Sequence, residues 1–173
     1  VAMRPSDGCE NSVANLRMWS NPYQTQIAPW NGRVLVYNAC DKLLHYPLGE
    51  DVSPEDLAGI ACAFRSAGML KSNYIYNVPP YYLEKYPEAS KYFRLVADPA
   101  DADYIFNLTG AKLRKKRNHI KHFLTRYPDF TVENIDASNL DEAVAFMDVI
   151  DIERGLYIEA LAIDYALRHF DDL

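Results

Sequence analysis

The spacing of apolar residues changes several times along this chain, and each change marks an element. Leu16 and Trp19 stand one helical step apart, so residues 13–19 read as a short helix, closed by the turn pair Asn21-Pro22. Strand-like runs follow over 23–28 and 33–37. The Asn31-Gly32 dipeptide between them favours the positive backbone angles of a tight hairpin. A third run, 43–46, stops at Pro47-Leu48-Gly49. Ser53-Pro54-Glu55-Asp56 then joins a capping hydroxyl, a proline suited to the first helical position and two acids at the positive end of the dipole. The helix it opens should run to Ala67 and end at Gly68.

Residues 73–78 read as a strand, 81–86 as a short helix, and 93–97 and 104–106 as further strands. A basic helix ends near Tyr127-Pro128, and 130–135 reads as a strand again. Ser138 or Asn139 caps a helix that carries Leu140, Val144, Met147 and Ile150 on one face. Gly155 interrupts, and a last helix covers 156–170. Interleaved strands and helices predict an α/β or α+β fold built around one mainly antiparallel sheet.

Composition narrows this picture without naming a chemistry. At 173 residues, with 49% hydrophobic and 24% charged positions, the chain suits one substantial globular domain. It has no apolar run of the roughly 18 to 20 residues that a membrane-spanning helix needs, and no secretory pattern. Cys9, Cys40 and Cys62 lie far apart without metal-ligand spacing. They are expected to be reduced, mostly buried thiols in a cytoplasmic protein.

Charge is where the chain departs from the ordinary. The net charge is −6, yet residues 111–130 hold seven Lys or Arg, two His and a single acid. From Tyr104 through Pro128 there is no Asp or Glu. On a helix, Leu113, Ile120, Leu124 and Tyr127 form one stripe with Phe123 beside it, and that stripe is expected to pack on a sheet. Lys115, His119, His122 and Arg126 lie opposite. Arg114, Asn118 and Lys121 take one flank, Lys112 and Lys116 the other. Arg117 borders the stripe, so its stem should be partly buried and its guanidinium paired. Like charges at these spacings repel by a few tenths of a kcal/mol per pair, with no acid between them for relief. The segment is either a solvated charged face or a site for an anion such as phosphate.

Nothing else in the sequence carries a specific chemistry. His45, His119, His122 and His169 lack zinc-helix spacing, and there is neither a glycine-rich phosphate loop nor a nucleophile elbow. Tyr74, Tyr76, Tyr81 and Tyr82 suit sheet packing and a wet groove better than base stacking.

Four stretches, taken in order, carry a resemblance. "KLRKKRNHIKHFLTRYPDF" (112–130) is similar to the K-K-R-N-H-hydrophobic-x-x-F-x-x-x-Y-P-D/E stretch of bacterial proteins with the phosphatidylglycerol lysyltransferase C-terminal domain. "CENSVANLRMW" (9–19) resembles that family's C-E-x-S-x-x-N-L-x-x-W. "YPLGE" (46–50) resembles its aromatic-P-L-G segment. "GLYIEALAIDYALRHFDDL" (155–173) is similar to its L-x-x-E-x-x-A-I-x-x-A-L-x-x-F-D/E-E/D-L.

The resemblance implies a GNAT-like mixed, mainly antiparallel sheet flanked by helices, as the first half of a tandem GNAT arrangement. Residues 1–135, including the basic helix 111–127, would form the first GNAT-like domain. Residues 136–173 would form the helical start of a second half, which is expected to be truncated here and to leave the last helices incompletely covered. The implied activity is acyl or aminoacyl transfer of the GNAT/Fem type, with acyl-CoA or aminoacyl-tRNA as donor and a lipid or other amphiphile as acceptor. No tightly bound cofactor is implied. The implied partners are tRNA or an anionic lipid headgroup, together with a missing second half or an oligomer partner, and the implied location is cytoplasmic and membrane-peripheral.

The residues matching the family signature are Lys115, Lys116, Arg117, Asn118 and His119. Lys112 and Lys121 join them as anion-binding candidates on charge. Glu10, Asn15 and Glu159 match other motifs and are candidates for site support, Glu159 as the partner of Arg117. Two other readings stay open: a non-catalytic anion- or RNA-binding module, and a degenerate scaffold subunit.

Overall fold

The computed structural model describes residues 11–71, 74–94, 96, 114–155 and 157–170. The Ser12 hydroxyl accepts the Asn15 amide at 3.1 Å and so opens α1 (Val13–Met18). Helix α1 runs almost directly into α2 (Ser20–Tyr23), which ends where Gln24 turns left-handed at φ 49°. Asn21-Pro22 therefore does not close the first helix, as expected, but lies within α2. A proline in the first turn sacrifices no intrahelical hydrogen bond.

Strands β1 (Thr25–Trp30) and β2 (Arg33–Asn38) form the expected hairpin, in register from Thr25 opposite Asn38 to Trp30 opposite Arg33. Asn31 and Gly32 have φ of 46° and 73°, the paired positive angles of a turn whose twist matches the strands. Strand β2 also pairs antiparallel with β3 (Leu43–His45), and β3 pairs parallel with β4 (Ile75–Tyr76), giving the order β1-β2-β3-β4. Parallel neighbours need a crossover, and α3 (Pro54–Ser66) supplies it. The Ser53 hydroxyl accepts the Asp56 amide at 3.1 Å, and Gly68 follows the C-cap at φ 70°. The result is the predicted class, a mixed and mainly antiparallel sheet with helices, consistent with a GNAT-like fold.

The core lies between β2, β3 and α3 and is closed by α4 (Tyr81–Lys85) and a 3-10 turn at Pro87–Lys91. Leu44, Val52, Leu57 and Tyr82 are almost wholly enclosed. The Tyr82 hydroxyl donates to the Val52 carbonyl at 3.0 Å, and the Val52 amide donates to the Tyr46 hydroxyl oxygen at 3.2 Å. Burial pushes the Tyr46 phenol up to about 12 and raises that of Tyr82 as well. Outside this core, the Asp51 carboxylate accepts from the Tyr81 hydroxyl at 2.9 Å and from the Lys85 ammonium at 2.5 Å, which ties α4 to the loop after β3.

The rest of the described chain is helical: α5 (Arg114–Arg126), α6 (Leu140–Arg154) and α7 (Tyr157–Arg168). Asn139 takes the cap of α6. Its carbonyl accepts the Ala143 amide, and its side-chain oxygen accepts the Asp136 amide at 2.9 Å. The expected face of α6, Leu140, Val144, Met147 and Ile150, is half-buried. Gly155, at φ 68°, separates α6 from α7, which pack on each other. Helix α7 also lies against α1 and α2, where Ala162 is fully enclosed. Its residues Tyr157, Ile158 and Leu161 stay exposed.

Several expectations are corrected. Residues 130–135 do not form a strand: they are irregular and exposed, with Val132 at 84%. Alternating side chains make a strand only where a neighbour takes up the backbone groups. Phe93, Arg94 and Val96 are likewise not in a strand, while 104–106 lies outside the described residues. Cys40 and Cys62 are exposed rather than buried, one in the β2–β3 connection and one in α3. Cys9 lies outside the described residues.

Candidate anion helix and polar cleft

Helix α5 places Lys115, Lys116, Arg117, Asn118, His119 and Lys121 together on one rod, all of them exposed. Lys112 lies outside the described residues. The helix does not rest on the sheet as expected. Ile120 is 58% exposed and Leu124 46%, so the apolar stripe is as open as the charged side. Leu113, the third member of that stripe, lies outside the described residues.

Arg117 is exposed rather than half-buried. Among the described residues, the ion pairs are Lys85 with Asp51 and Arg168 with Asp164, and none joins Arg117 to Glu159. The reason is placement. Glu159 sits on α7, whose neighbours are α1, α2 and α6, and its charge acts on Tyr23.

The end of α5 has its own aromatic ledge. Phe123 lies 5.2 Å from Tyr127 and 5.1 Å from Phe130, centroid to centroid, and the Arg126 guanidinium stands 5.6 Å from the Tyr127 ring. An open hollow of about 500 Å³ lies there, lined by Phe123, Arg126, Tyr127, Pro128, Asp129 and Phe130. Cations beside exposed aromatics suit a ligand with phosphates and a flat or apolar part.

A second site lies where α1 and α2 meet the sheet. Asn15, Leu16, Trp19, Tyr23, Thr25, Asn38 and His45 line a cleft of about 330 Å³. Trp19 and Tyr23 stack at 5.3 Å with planes 22° apart and form one wall. The floor is a chain of hydrogen-bonded polar groups. The Thr25 hydroxyl donates to Asn38 Oδ1 at 3.0 Å, and Asn38 Nδ2 lies 3.0 Å from His45 Nε2. The other ring nitrogen of His45 lies 3.0 Å from the Asn77 amide nitrogen. The ring's tautomer sets which of these two amides donates to it. Asn38 is only 8% exposed, and these bonds satisfy it. The Tyr23 phenol is raised first by burial, then by the negative charges of Asp41 and Glu159.

Of the supporting residues named from the sequence, Asn15 lines this cleft and Glu159 lies close to its Tyr23 wall, while Glu10 is outside the described residues. Sequence reasoning missed Trp19, Tyr23, Thr25, Asn38 and His45. The available signal was Asn38, a polar residue ending the apolar run Val34-Leu35-Val36-Tyr37.

Residues 2–150 match the family model described as phosphatidylglycerol lysyltransferase, C-terminal. The chain belongs to this family. The α5 signature of this phosphatidylglycerol lysyltransferase C-terminal-type chain and all of the described lining of the polar cleft fall inside the matched span. No curated protein matches the chain. A crystal structure of a conserved protein of unknown function from Bacteroides thetaiotaomicron is similar at a TM-score of 0.63 and 23% identity. The match covers 96% of this chain and 60% of that one. That likeness shows a shared fold, and the chain spans about 60% of the other protein's length. Among the described residues, no helix is long and apolar enough to cross a membrane.

Proposed function

We propose that this chain works in acyl or aminoacyl transfer, with α5 gripping the phosphates of a polyanionic donor, aminoacyl-tRNA or acyl-CoA, for delivery to a lipid or other amphiphile. The observation that carries the reading is the exposed cationic rod of Lys115, Lys116, Arg117 and Lys121, with no acid within the helix, on a molecule of net charge −6. Such a helix repels itself unless an anion sits on it. The aromatic ledge at its end offers a stacking or apolar surface next to that charge. In this reading, residues 1–135 and 136–173 belong to the two halves of a tandem GNAT arrangement. The protein works in the cytoplasm and touches membranes peripherally.

The test measures affinity for tRNA, acyl-CoA and anionic vesicles across a salt series. Replacing Lys115 and Lys116 together by Ala should weaken the true ligand and flatten its log–log salt slope by about one to two units. Unchanged affinity for all three would make α5 a solvated face. Salt-dependent RNA binding without any transfer to lipid would make the chain a binding module.

A further inference from the structure

We infer that the hollow between α3 and residues 92–94 binds a short aliphatic carboxylate, its head at two arginines and its alkyl group in a slot against the core. The outer part, about 480 Å³, is lined by Cys62 and Arg65 of α3 together with Tyr74, Tyr92 and Arg94. A narrower slot of about 100 Å³ adjoins it and shares Tyr74, Phe93 and Arg94. The slot is walled by Leu57, Tyr82 and Ala89, all almost wholly buried, and by Ile75 and Val78, which pack against the core. Neither lining contains an Asp or Glu. Arg65 and Arg94 are exposed, and among the described residues neither guanidinium makes an ion pair or donates a hydrogen bond.

These features select a ligand by charge, shape and size. A cation would meet two like charges. A neutral alkyl compound would fill the slot and leave both guanidiniums unused. A carboxylate is the small planar anion that a guanidinium fork matches in two-pronged geometry. The apolar walls of the slot lack dispersion partners that an alkyl group supplies. A cavity of roughly 150 Å³ holds a benzene ring, so this slot suits a branch of about three to four carbons and refuses a long acyl chain. The hollow shares no residue with α5 or with the polar cleft. The claim concerns binding alone and stands whether or not the chain transfers a group.

The experiment uses the whole chain and takes Cys62 as a reporter of occupancy, with the exposed Cys40 as internal control. Alkylation of each thiol by iodoacetamide is followed by peptide mass spectrometry at neutral pH and constant ionic strength. The ligands are 4-methylvalerate, its neutral amide, acetate and decanoate, and the quantity read is the half-protecting concentration. 4-Methylvalerate should protect Cys62 saturably and leave Cys40 unchanged, and the other three should be weaker by about tenfold or more. Arg65→Gln and Arg94→Gln, both at exposed side chains, should each weaken 4-methylvalerate on the order of three- to tenfold. Lys115→Ala with Lys116→Ala should leave it unchanged. Absence of saturable protection overturns the inference, as does equal protection by the amide, acetate or decanoate. Unchanged affinity in both arginine variants overturns it too. None of those results bears on salt-dependent anion binding by α5, so the two ideas fail separately.

Discussion

The sheet with α3 and α4 and the helical stretch from 114 to 170 were equally patterned in the sequence but came out differently in three dimensions. Around α3, a capping serine, an opening proline and a terminating glycine all agree with a core that encloses Leu44, Leu57 and Tyr82. Around α5, an equally clear apolar stripe stays open: Ile120, Phe123, Leu124 and Tyr127 are all at least 46% exposed. Amphipathic spacing decides which residues share a face, while burial depends on what lies opposite. The first region is held by its contents; the second keeps its helices with much of its apolar surface uncovered.

The sharpest way to break this contrast is to empty one site in each region. Leu44→Ala, at a side chain with 0% exposure, should cost about 2–5 kcal/mol in urea denaturation. Ile120→Ala should stay within about 0.5 kcal/mol. Comparable losses would mean that α5 is packed in solution.

Next in size is the alkaline limit of the core. The Tyr46 phenol is raised from its ordinary value near 10 to about 12, so the folded state favours the neutral form. Its stabilisation is complete below pH 10 and fades as pH climbs through 12, because the unfolded chain ionises first. Tyr46→Phe should flatten that decline in a pH series of melting midpoints. An unaltered decline would assign it to another group.

Loss of the α3 cap comes third. Ser53→Ala should cost about 1 kcal/mol, because the Asp56 amide loses its acceptor. A midpoint indistinguishable from the parent would show that Asp56 or water takes over the cap.

The smallest effect expected is at Arg117. Its exposure places Arg117→Ala beside Lys115→Ala, each within about 0.5 kcal/mol by thermal denaturation. A markedly lower midpoint for Arg117→Ala alone would restore a buried partner.

What the sequence made legible was local chemistry. Asn31-Gly32, Ser53-Pro54 and Gly155 each dictate a backbone conformation within a few residues, and each stands where it was read. The short β3 and β4, the irregular 130–135 and the open stripe of α5 depend on neighbours distant in the chain, which periodicity does not report. The same limit hid the polar cleft. Asn15, Asn38 and His45 come from three elements and meet only through the packing of α1 and α2 on the hairpin. The basic helix was visible because its anomaly, charge without compensation, is written in consecutive residues.

Val52 carries a consequence of its own. It belongs to neither a helix nor a strand, yet its amide and its carbonyl are both bonded, each to a phenol. Those phenols come from Tyr46, six residues back, and Tyr82, thirty residues on. Its amide proton should therefore exchange with deuterium on the schedule of global unfolding rather than of loop fraying. An isotope label at that one position would time the opening of the whole core.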